Sequence, residues 1–80
     1  MPCVATIKGI RICVYSNDQV PPHIHAIYGE YEALIDIREL SIIAGSLPAS
    51  KRKKAIAFVE ENREDLLETF YELNPNIQRI

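Results

Sequence analysis

Two glycine dipeptides, Lys8-Gly9 and Gly29-Glu30, leave this chain few ways to fold. Each separates two runs rich in β-branched and apolar residues, and a two-residue turn bearing glycine is a strong hairpin signal. Cys3 to Ile7 turns through Lys8-Gly9 into Ile10 to Tyr15. That pairing sets Ile7 against Ile10, Ala5 against Ile12 and Cys3 against Val14. All six are apolar and share one face, while Val4, Thr6, Arg11, Cys13 and Tyr15 occupy the other. A slip of one residue would mix the two sets.

The second hairpin joins His23 to Tyr28 with Tyr31 to Ile37. Glycine at the first central position suits a type II′ turn. The register then pairs Tyr28 with Tyr31, Ala26 with Ala33 and Ile24 with Ile35. The opposite face carries His23, His25, Ile27, Glu32, Leu34 and Asp36, with His23 across from Asp36 and His25 across from Leu34. Between the hairpins, Ser16 to Pro22 reads as a loop: Asn17-Asp18 is turn chemistry, and Pro21-Pro22 forces an extended exit. Leu40 to Ala44 is an apolar run before Gly45 and a candidate short fifth strand.

From Pro48 the pattern becomes helical. Proline is favoured in a first helical turn, and Ser46 and Ser50 are candidate caps. Ala55, Ile56, Val59, Leu66, Leu67, Phe70 and Leu73 follow helical spacing. The stripe is interrupted at Asn62-Arg63. Either one long helix crosses the gap, or a break there makes two helices with Asn62 capping the second. Pro75 ends the pattern.

The economical architecture is a single α+β domain over residues 1–80, with a β half at 1–45 and a helical half at 46–75. An antiparallel sheet packs its apolar face against the helix and leaves the other face open. At 80 residues the core is small, so each buried element matters. The formal net charge of −2 supplies no global basic field to draw nucleic acid or anionic lipid. The one basic run, Lys51 to Lys54, reads as a solvated first helical turn. No apolar run approaches the roughly 20 residues that span a bilayer, and no charged-then-apolar leader is visible. The expected compartment is the cytoplasm, with no membrane contact and with Cys3 and Cys13 reduced.

Chemistry, if present, centres on Pro21-Pro22-His23-Ile24-His25. Residues two apart on a strand point the same way, so His23 and His25 are near enough to share a ligand. Arg11 and Tyr15 project from the same side of the first hairpin. Three readings compete. A histidine pair can supply one base and one acid near neutral pH. With Asp36 orienting His23 and Arg11 stabilising phosphate charge, that serves metal-independent RNA cleavage by the 2′-hydroxyl. Alternatively, a divalent transition metal takes His23 and His25 as ligands, although His-x-His alone is a weak metal signature. No cofactor is favoured. The third reading is a solvated sheet face with no chemistry. The prolines favour function, because they fix the backbone entry to the histidines.

The chain resembles a family of small bacterial proteins, the domain of unknown function four-one-six-zero. The resemblance rests on Met1-Pro2, the strand-Gly-strand opening, Tyr15-Ser16-Asn17, Pro21-Pro22-His23-Ile24-His25, Glu32-Ala33 and the segment Val59 to Leu67. It implies that His23 and His25 are the signature histidines, with Pro22 and Glu32 matching too. It also implies a small cognate protein partner, in an arrangement similar to a toxin–antitoxin pair. Ala26-Ile27 stands where members carry a charged residue, which makes the surface beside the histidines more apolar.

The expectation is therefore a toxin-like component, a small ribonuclease with His23, His25, Asp36 and Arg11 catalytic and Tyr15, Pro22 and Glu32 in binding. Net acidity opposes it, since phosphate contacts dominate RNA affinity. The rival is a non-catalytic binding module, either the antitoxin side or a homodimer packed through its open face.

Overall fold

The computed structural model describes residues 3–16 and 20–77. The Met1-Pro2 opening and the Asn17-Asp18 turn lie outside them. The elements run β1 (Cys3–Ile7), β2 (Ile10–Cys13), β3 (His23–Tyr28), β4 (Tyr31–Asp36), β5 (Ile42–Gly45), α1 (Ala49–Glu61) and α2 (Arg63–Leu73). The strands form one five-stranded antiparallel meander in the order β1-β2-β3-β4-β5. The fold is α+β, as the patterning predicts, and the candidate fifth strand is present as β5.

Turn chemistry sets the hairpins. Lys8 and Gly9 both take positive φ, at 49° and 81°, as a type I′ turn requires. Gly29 has φ 58°, which suits the first central position of a tight hairpin. The β3–β4 register runs unbroken from Tyr28↔Tyr31 to His23↔Asp36 and matches the expected pairing throughout.

The β1–β2 hairpin follows the expected pairs at Ile7↔Ile10 and Ala5↔Ile12 and then departs. An irregularity between Cys3 and Ala5 brings Cys3 opposite Cys13, where the alternation predicts Val14. A bulge adds one residue on one strand and shifts every pair beyond it. The second departure follows from the first: Cys3 and Cys13 are joined as a disulfide and not held as two thiols.

One face of the sheet presents Ile10, Ile12, Val14, Ile24, Ala26, Ala33, Ile35 and Ile37, all fully buried. Against them pack Ala55 and Val59 of α1 and Leu66, Leu67 and Phe70 of α2. The helical stripe does break at Asn62, which ends α1 and precedes α2 with φ −118° and ψ 23°. The Asn62 amide nitrogen donates back to the Phe58 carbonyl at 2.9 Å, so this residue closes the first helix with its side chain. Pro48 stands at the α1 N-cap without any side-chain cap bond, so neither Ser46 nor Ser50 caps the helix.

Side-chain contacts tie the helices to the sheet layer. Lys51 donates from Nζ to the Lys8 carbonyl at 3.0 Å and lies 4.7 Å above the Tyr28 ring, so one member of the basic run is a clamp on the hairpin tips. Arg63 donates to the Ile37 carbonyl at 3.2 Å. Buried Asn74, just past α2, donates from Nδ2 to the Tyr15 carbonyl at 3.0 Å. Among the described residues, no helix is long and apolar enough to cross a membrane.

Candidate acid–base site

Alternation along β3 puts His23 and His25 on the same side, and their ring centroids lie 5.2 Å apart. The expectation of an open face holds for only one of them. His23 is 5% exposed, and its ring centroid is 5.8 Å from that of Phe70 on α2. It is the first residue of its strand, and at this margin the helical layer reaches it. Cys13 and Asp36 also belong to the polar alternation and are also buried. The polar face is thus closed at the His23 end and open further along.

The hydrogen bonds assign the proton on each ring. His23 Nδ1 lies 2.8 Å from the Pro21 carbonyl oxygen. A carbonyl only accepts, so Nδ1 carries the hydrogen and Nε2 is the basic nitrogen of the neutral ring. His25 Nδ1 lies 2.9 Å from Glu32 Oε2, and the same reasoning makes Nε2 its basic atom. Side-chain exposure is 14% for His25 and 50% for Glu32, so the pair sits at the rim of the open patch.

Asp36 does stand across from His23 in the register, but its carboxylate works elsewhere. Oδ1 accepts the backbone N–H of Arg38 at 2.8 Å and of Glu39 at 2.9 Å. This Asx-type turn shapes the β4–β5 connection, where Leu40 takes a positive φ of 58°. The orienting role expected of Asp36 toward His23 belongs to the Pro21 carbonyl. The carboxylate that orients a histidine is Glu32, on His25. Glu32 pairs directly with Ile27 and reaches His25 diagonally, a distance that long side chains on one sheet face can span.

Glu32 is itself held by its neighbours. Its carbonyl accepts the Ser46 N–H at 3.1 Å. Gly45 crosses that backbone with φ 76°, so closely that a Cβ at this position would run into the Glu32 carbonyl oxygen. Only glycine fits there.

Tyr15 is brought in as expected. Its ring stands edge-on to His25 with centroids 4.3 Å apart and planes at 76°. Arg11 is exposed and pairs with Ile27, one same-face step from the Cys13↔His25 pair. It shares the face with the two histidines. Pro22 is buried, and its carbonyl accepts the Ile37 N–H at 3.0 Å, fixing the start of β3. The residue that sequence reasoning did not place here is Cys13, directly opposite His25; the expected pairing was legible only within each hairpin. Among the described residues, no group of three or more His, Cys, Asp or Glu side chains converges in a way that could hold a metal.

The class defined by this geometry is a small two-layer α+β protein with a carboxylate-oriented histidine on its open sheet face. The chain matches the family described as domain of unknown function (DUF4160) over residues 9–70 and belongs to it. No curated protein and no solved structure gave a significant match.

Proposed function

We propose that the chain is the toxin-like member of a bacterial toxin–antitoxin pair and acts as a metal-independent ribonuclease with His25 as its base. The observation that carries the chemistry is the 2.9 Å bond from His25 Nδ1 to Glu32. A general base needs a defined tautomer, a partner for the positive charge it acquires, and access to substrate. The Glu32 carboxylate supplies the first two, and the open side of the sheet supplies the third.

In this reading His25 Nε2 takes the proton of the 2′-hydroxyl, which then attacks the adjacent phosphorus. Arg11, on the same face, faces the charge that develops on the phosphoryl oxygens. The leaving 5′-oxygen takes its proton from solvent or from the imidazolium that the first step creates. Tyr15 walls one side of the imidazole and offers a ring against which a base can stack. His23 is too buried to meet a substrate and acts as a support for His25. The toxin–antitoxin setting comes from the family resemblance and not from the geometry.

Expression in a bacterial host and cleavage of labelled RNA test the proposal together. His25→Ala is expected to relieve growth arrest and to lower cleavage at least about 100-fold. An RNA with 2′-deoxy substitution at the scissile position should resist cleavage. Arrest that persists in a folded His25→Ala protein removes the base from the mechanism.

A second reading has its own support. The meander leaves β1 and β5 as the edges of the described sheet, and each carries an exposed apolar residue, Val4 and Ile43. Unpaired edges invite strand addition by a partner. The chain would then be a binding module. A partner complex that survives His25→Ala and fails on Ile43→Lys supports it.

A further inference from the structure

The disulfide stands in an unusual place for a structural staple. It links directly opposed residues of β1 and β2, two strands already joined by a tight turn and a ladder of backbone bonds. Such a bond closes a short loop and constrains little that the hairpin does not already constrain. Its surroundings are chemical. Cys13 sits between two same-face neighbours, Cys3 on β1 and His25 on β3. Opposed Cβ atoms on a sheet face lie about 5 Å apart, so the His25 and Cys13 side chains are lateral neighbours on that face. The two residues also differ in access: Cys3 is exposed and Cys13 is fully buried.

We propose that Cys3–Cys13 is a thiol–disulfide exchange site for small thiols of the glutathione class, with His25 as its proton donor. The asymmetry fixes the direction of attack. A thiolate from solvent attacks the sulfur of Cys3, the exposed residue of the pair, and a new S–S bond forms between Cys3 and the small thiol. The Cys3–Cys13 bond breaks, and its electron pair leaves on the Cys13 sulfur. The imidazolium form of His25 stabilises that thiolate and gives it a proton from Nε2, returning to the neutral ring that Glu32 orients. A second small thiolate then attacks the mixed disulfide at the small-thiol sulfur and releases Cys3 as a thiolate. Two thiols have become one external disulfide, and the protein disulfide has taken up two electrons. Tyr15, His23 and Glu32 border the imidazole, and among the described residues Arg11 and Asp36 are further charged groups on this face.

The exchange site needs no ribonuclease activity and is tested without it. Purified oxidised protein is placed in reduced glutathione at neutral pH, quenched with an alkylating agent at intervals, and mapped by mass spectrometry. The expected result is glutathione on Cys3, alkylation of Cys13, and full reduction within minutes at millimolar thiol. His25→Gln should slow the reaction about tenfold or more, while the oxidised fraction at equilibrium in a glutathione redox buffer changes less than about twofold. Glu32→Gln, at an exposed position, should give a smaller slowing and serves if His25→Gln does not fold. A disulfide that resists millimolar glutathione, an adduct on Cys13, or an unchanged rate in both variants would overturn the proposal.

Discussion

The two ends of the polar sheet face are built from the same residue type and behave as different materials. At the His23 end the imidazole is buried, donates to the Pro21 carbonyl and meets Phe70. Two residues further along the same strand, His25 donates to a half-exposed carboxylate and meets the edge of Tyr15. The first histidine is wired into the backbone and the core. The second is wired into the surface. Burial of a polar group costs free energy unless its bonds are made, so a change at the closed end is paid in stability. At the open end water can replace lost partners, so a change should register in chemistry.

Substitutions test that contrast, and the largest effect belongs to the closed end. Phe70→Ala removes a fully buried ring from the helix–sheet interface and is expected to cost about 3–5 kcal/mol in denaturant unfolding. Gly45→Ala should come next, at about 2 kcal/mol or more, because positive φ and the Glu32 carbonyl both oppose a Cβ there. It should also loosen the His25–Glu32 pair, visible as a shift of the His25 ring resonances. Asn74→Ala removes the link from the end of α2 to Tyr15 and leaves buried carbonyls short of a donor, a loss of about 1–2 kcal/mol. The smallest effect is at the open end. A double-mutant cycle on His25 and Glu32 should give a coupling of about 0.2–1 kcal/mol, as for other exposed ion pairs. A coupling above about 2 kcal/mol would place His25 with the buried group and erase the distinction.

The second hairpin was legible in the sequence because one glycine turn fixes its register and every later pair follows from alternation. The first hairpin was legible only as far as Ala5. A bulge beyond it leaves no mark, because Cys3 and Val4 are both apolar and either suits either face. That slip hid the disulfide, since strict alternation points Cys3 and Cys13 to opposite sides. The helix break at Asn62 showed as a gap in the apolar stripe. The burial of His23 did not show, because it depends on Phe70, 47 residues away along the chain.

The site was half legible. The histidine pair and its shared face follow from spacing alone. The choice of acid does not, since direct opposition favours Asp36 for His23, whereas the bond that forms is the diagonal one from Glu32 to His25. A signal for the role of Asp36 was present: an aspartate just before a chain reversal, with two residues following whose amides it can cap.

The meander order has a consequence for how the chain is made. Each strand pairs with its neighbour in sequence, so the sheet can assemble during synthesis, one hairpin at a time, without waiting for distant segments. The helices that cover its apolar face are translated after all five strands. Between those two moments the ribosome holds a paired sheet with a bare row of isoleucines. That interval, more than the folded state, is where the chain is exposed to self-association and where a chaperone would find it.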